Sequence, residues 1–220
     1  MTPPAPSGVG SIVRRVGFDV GVDVVGGGIV GFLAGVAAAV FVAGLAGVTA
    51  LREASASVFV PLLPVAAAAL LTLLARLDPR VGGGTTVVLD TAHRGGPAIP
   101  AGLGVVALLG TWWTHLWGGS AGREGTAVQM GASLADFVAQ RLGLTAARRH
   151  EMLVAGVAGG FGSVFGTPLA GAVFALEFVR ARQVSLRAAV PAVVAAVSGD
   201  VLAQRLGVTH AHYTQVEVAS

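Results

Sequence analysis

Gly118-Gly119-Ser120-Ala121-Gly122-Arg123-Glu124-Gly125-Thr126-Ala127-Val128-Gln129-Met130-Gly131 sets two opposite charges side by side in a chain that has few others. The stretch from Gly95 to Ala121 before the pair is uncharged, and so is Gly125 to Ala135 after it. Burying charge in lipid is expensive, so ionisable residues at membrane depth mark ion paths, proton relays or paired structural groups. The flanking glycines decide against a loop that merely reaches the interface. They open the backbone just before a helical segment, and lipid tolerates open backbone only inside protein or beside a water-filled cavity. The pair reads as an intramembrane ion or proton site at the start of a broken helix.

Composition supplies the membrane. With 54% hydrophobic and 11% charged residues and a mean hydropathy of +0.79, the chain is too apolar for a water-soluble domain and for disorder. The net charge is +3, and every basic residue is an arginine. The chain is basic because acids are scarce, which gives no nucleic-acid footprint. The absence of cysteine removes disulfides, thiolate metal sites and cysteine nucleophiles, and the absence of lysine removes a Walker-type phosphate loop. No cofactor is indicated.

Val24 to Leu51 is uncharged and, as a helix, would reach roughly 42 Å, enough to span with tilt. Gly27, Gly31 and Gly35 recur on one face, where another backbone could approach closely. Arg52 and Glu53 form the tip of a hairpin to a second run, Ala54 to Ala75, whose start Pro61 and Pro64 should bend or shorten. Arg14, Arg15, Arg76 and Arg80 against Arg52 place the amino end in the cytoplasm. No targeting segment is read. Residues 1–20 are expected as a cytoplasmic segment, 21–207 as the helical membrane domain and 208–220 as a polar tail.

Beyond the hairpin the apolar runs are interrupted. Gly82-Gly83-Gly84-Thr85-Thr86 opens one short piece, and the glycines before Arg123 open another. Gly159-Gly160-Phe161-Gly162 and Gly166-Thr167-Pro168 are expected to break Met152 to Leu176, and Ala188 to Gly199 is a last short segment. Helices that start in mid-membrane aim unpaired N–H groups and the positive dipole end at whatever sits there. The occupant should be an anion.

Gly122-Arg123-Glu124-Gly125 resembles the GREGP signature of the CLC anion channel and transporter family. The block Gly162-Ser163-Val164-Phe165-Gly166-Thr167-Pro168-Leu169-Ala170-Gly171, running on to Glu177, resembles that family's next conserved block. The resemblance covers about Val24 to Tyr213 and corresponds to the first half of a CLC subunit. It implies an all-α membrane protein with broken and re-entrant transmembrane helices, the first of two inverted repeats. It also implies transport of chloride or fluoride, as a channel or a proton-coupled antiporter, in the plasma (inner) membrane. Glu124 falls at the gating and proton-accepting position. Thr85, Thr86, Gly122, Arg123, Gly125 and Phe165 fall around the anion, with Arg123 as a buried structural charge. Halide and proton are the implied ligands. Self-association through helices matching 166–200 is implied, together with a missing second half.

Four departures qualify the match. A GSGIP loop is replaced by Gly83-Gly84-Thr85-Thr86-Val87, and the proline of GREGP by Thr126; both resemble the fluoride-exporting branch. The inner proton-transfer glutamate of chloride exchangers falls at Phe178, after Glu177. The second repeat has no counterpart, so a truncated or split subunit is expected ahead of two oppositely inserted copies.

Rival readings are weaker. Gly118-Gly119-Ser120-Ala121-Gly122 fits the G-x-S-x-G nucleophile pattern of an intramembrane serine protease, but no histidine is placed to serve Ser120. His210-Ala211-His212 lacks a third metal ligand, so no metal is assigned. Trp112, Trp113 and Trp117 read as interface or packing residues, and Arg141, Arg148 and Arg149 as a solvated loop. A non-conducting scaffold leaves Glu124 unexplained.

Overall fold

The computed structural model describes residues 9–94, 96–179 and 186–210, all helices and connections, with no strand among them. Helix α1 (Val9–Ala54) is continuous through the stretch read as a separate amino-terminal segment. It turns at Ser55 into α2 (Ala56–Phe59), a single 3-10 turn (Val60–Leu62) and α3 (Leu63–Leu74). Pro61 is the second residue of the turn and Pro64 the second of α3, positions where a missing N–H costs nothing. Gly21–Ala54 and Ala56–Leu74 are long and apolar enough to cross a membrane.

The remainder is α4 (Pro79–Gly82), α5 (Thr85–Arg94), α6 (Gly102–Leu116), α7 (Arg123–Arg141), α8 (Ala146–Phe165), α9 (Pro168–Phe178) and α10 (Leu186–Arg205). Helix α8 is the hub, packed by α1, α7, α9 and α10, and its Leu153, Ala155, Val157 and Ala158 are buried. In lipid, apolar side chains gain little by leaving the solvent, so helices associate by close packing of small residues. The Gly27, Gly31 and Gly35 face lies on α10: a Cβ added at Gly27 would be 2.7 Å from the Pro191 carbonyl oxygen, and one at Gly35 would be 2.6 Å from that of Gly199.

Two expectations about the breaks are corrected. Gly159-Gly160-Phe161-Gly162 does not break the chain; α8 runs straight through it. These glycines are contact surface, since a Cβ at Gly160 would overlap the Ala127 carbonyl and one at Gly162 would crowd Ala196 and Pro168. The break comes at Gly166, whose φ of +67° forms a left-handed helix end before Pro168 opens α9. The last apolar segment is longer than Ala188–Gly199, because α10 carries Pro191 inside it and continues to Arg205.

Arg148 and Arg149 are not solvated loop residues either. They lie in the first turn of α8, where Arg148 pairs with Asp23 of α1 and with Glu151, and Arg149 pairs with Asp136 of α7. Arg141 sits over the Phe137 ring at 4.8 Å. The tryptophans pack against neighbours, with the Trp112 and Trp113 ring N–H groups donating to the carbonyls of Phe41 and Ala66 at 2.9 and 3.0 Å.

Gly166→Ala should cost about 1–2 kcal/mol, the penalty for an L-residue in the left-handed region, and its methyl would also meet the ring of His210. Thermal unfolding in detergent checks this. His212 and Tyr213 lie outside the described residues.

Candidate functional site

Two helix starts converge, and short turns produce both. On the first side, the Asp78 side chain accepts from the Arg80 N–H at 2.8 Å and caps α4. Gly84, at φ +60°, then reverses the backbone so that α5 begins at Thr85. On the second side, α6 ends at Leu116, Gly118 takes φ +85°, and the extended Gly122 becomes the N-cap of α7. The Gln129 side-chain amide, on α7, donates to Thr85 Oγ1 at 3.3 Å. A Cβ on Gly125 would be 3.5 Å from that same oxygen. The free N–H groups of α5 and α7 thus open beside each other, as a site for negative charge requires.

Glu124 occupies the first turn of α7, where the helix dipole favours a carboxylate. Its Oε2 is 2.9 Å from the position a Cβ on Gly122 would take, so the acid folds back over the start of its own helix. Glu124, Arg123, Gly122 and Thr86 are exposed, Thr85 and Gly125 half-buried. The expectation of a buried Arg123 is therefore corrected: it stands at the open face of this chain with no ion-pair partner among the described residues. Phe165, the last residue of α8, is half-buried and its ring lies tilted against that of Phe161 with centroids 4.6 Å apart. It packs with Val164 on a cluster that includes Ala127 and Met130 of α7.

Thr126 shares a buried bond of 2.6 Å with the Thr111 hydroxyl, and Thr111 also donates to the Ala107 carbonyl at 2.8 Å. These groups border a cavity of about 250 Å³, lined also by Gly82, Thr114, Ala121 and Gln129. Ser120 is exposed, and His115 Nδ1 is engaged with the Thr111 carbonyl at 2.9 Å on its own helix. A serine–histidine pair is not assembled there.

A second polar centre fixes the frame of the first. Asp136 has no exposed surface and accepts from the Ile99 N–H at 2.7 Å, the Gln140 amide at 2.8 Å and the Arg149 guanidinium. Arg149 also donates to the Gly96 carbonyl at 3.1 Å, and Arg80 to that of Ala98 at 2.6 Å. The connector between α5 and α6 is thereby tied to α4, α7 and α8. Sequence reading missed Asp136, Arg149, Thr111 and Gln129 as members of this arrangement. A lone acid in an apolar helix was the available signal for Asp136, and a polar residue one turn after Gly125 the signal for Gln129.

A family model described as voltage gated chloride channel matches residues 66–219. The chain is similar to a chloride/fluoride channel protein of Pseudomonas syringae pv. tomato, with 41% identity over 191 residues, covering 87% of this chain and 42% of that protein. It is similar to an H(+)/Cl(-) exchange transporter of Vibrio cholerae serotype O1, with 38% identity over 80 residues, covering 34% and 17%. The solved structure of a CLC-type fluoride/proton antiporter superposes with a TM-score of 0.85 at 30% identity, over 92% of this chain and 51% of that one. The chain thus spans about half the length of these relatives or less.

Proposed function

The chain belongs to the voltage-gated chloride channel family, and from that membership we propose that it supplies half of a halide-transporting subunit in which Glu124 is the gate and proton acceptor. The observation that carries this reading is the juxtaposition of the α5 and α7 starts, with Glu124 in the first turn of α7 and the Thr85 hydroxyl within reach of α7 through Gln129.

The mechanism follows from charge. A carboxylate at a helix N-terminus is an internal anion, and the same N–H groups that stabilise it would stabilise a halide. The two compete. Protonation neutralises Glu124 and releases its claim on the site, so proton uptake and halide entry become linked. The ligands would be the Thr85 hydroxyl and the backbone N–H groups around Gly122 to Gly125, with Thr86 and Phe165 at the margin. Arg123 contributes positive potential from the open face, and a neutral cradle holds the anion without trapping it.

Fluoride is favoured over chloride. Threonines stand at both loops that depart from the chloride pattern, and Thr126 uses its hydroxyl on Thr111, a bond that proline could not make. Multi-pass insertion in the plasma (inner) membrane and pairing with a second copy complete the proposal.

The test fuses this chain to the part of the Pseudomonas syringae relative that the match leaves uncovered and reconstitutes the fusion in vesicles. Anion efflux, read with fluoride and chloride electrodes, should depend on pH in the unmodified fusion and lose that dependence in Glu124→Gln. Retained pH dependence in the variant would remove Glu124 from the mechanism.

A further inference from the structure

We infer that Gln129 is a positioning residue that makes the Thr85 hydroxyl a dedicated donor to the transported anion; this rests on the halide reading above. A threonine hydroxyl has one proton and two lone pairs, so its use depends on what its neighbours take. Beside an anion the proton must remain free. An acceptor next to Thr85 would claim it, whereas a donor leaves it available.

Gln129 presents its amide nitrogen to Thr85 Oγ1 at 3.3 Å, which occupies a lone pair and leaves the proton to turn toward the opening between the helix starts. The local backbone makes room for this contact. Gly125, one turn ahead of Gln129 on α7, would place a Cβ 3.5 Å from Thr85 Oγ1 and 3.6 Å from the Gln129 nitrogen. Gly84, at φ +60°, would place one 3.9 Å from the same nitrogen. The start of α5 and the first turns of α7 therefore meet around a single amide. The half-buried Gln129 also lines the cavity it shares with Thr126 and Thr111, so its side chain lies between its hydrogen bond to Thr85 and that cavity.

The chemistry predicts selectivity as well as strength. Gln129 is neutral, so it adds a directed dipole without the full charge that would trap an anion. Fluoride accepts hydrogen bonds far more strongly than chloride. Losing a pre-aimed O–H donor should therefore penalise fluoride more.

The experiment uses the same fusion and vesicles, with Gln129→Leu, Gln129→Glu, Thr85→Val and the double variant Thr85→Val/Gln129→Leu. In Gln129→Leu the fluoride-to-chloride flux ratio should fall about tenfold, the scale of one hydrogen bond to an ion. Gln129→Glu keeps the shape but reverses the polarity at Thr85, and its ratio should fall at least as far. In the Thr85→Val background Gln129→Leu should have no further effect. Wild-type ratios in both Gln129 variants, or a full additional loss in the double variant, would overturn the inference. Glu124→Gln, run alongside, would still report on the gate.

Discussion

Asp136→Ala should destabilise the folded chain by about 3–5 kcal/mol, the usual cost of removing one member of a buried charge pair. The magnitude follows from what is left behind. Asp136 is fully buried and collects donors from three directions: the Ile99 backbone, the Gln140 amide and the Arg149 guanidinium. Truncation would leave the Arg149 charge facing an apolar void and the Ile99 N–H without its acceptor. Arg149→Met leaves the opposite charge, with no exposed surface, and should cost a similar amount. Groups in one network do not add, so Asp136→Ala combined with Arg149→Met should lose clearly less than the sum of the single changes. Denaturant unfolding in detergent measures all three. Strict additivity would show that the two side chains are energetically independent.

This network also bears on the site. The connector it pins lies between α5 and α6, and Arg80 ties the same connector back to the turn that ends in Gly84. Loss of Asp136 should therefore loosen the placement of Thr85 before it unfolds the chain.

The two stretches long enough to cross a membrane, Gly21–Ala54 and Ala56–Leu74, are legible in the sequence because uncharged length alone dictates them and prolines mark the second start. The Glu124 region is legible for a different reason: a charged pair between glycines in an apolar run has few physical explanations. The Asp136–Arg149 and Asp23–Arg148 pairs are not, since each joins residues on different helices, and spacing along the chain says nothing about which helices meet. Glycine is ambiguous in the same way. Gly84, Gly118 and Gly166 turn the chain with positive φ, whereas Gly156, Gly159 and Gly160 stay helical and serve contact. The residues alone do not separate the two uses, except where a proline follows, as Pro168 does Gly166.

That ambiguity yields a test of opposite signs. At Gly131 and Gly156 the α7 and α8 backbones touch, and a Cβ on either would overlap the carbonyl of the other. Alanine is the better helix former by about 1 kcal/mol, yet Gly131→Ala and Gly156→Ala should each destabilise by about 1–3 kcal/mol, the range for overpacking a tight interface. Gly156→Leu should exceed that and separate the two helices. Gly47, in the exposed part of α1, has nothing within 4 Å of its would-be Cβ, so Gly47→Ala should be neutral or stabilising. Unfolding in detergent compares them directly. Because Glu124 and Gln129 ride on α7 above this contact, Gly131→Ala should also shift the anion selectivity of the fusion, while Gly47→Ala leaves it unchanged. Equal effects at the two positions would mean that α7 is held by something other than its close approach to α8.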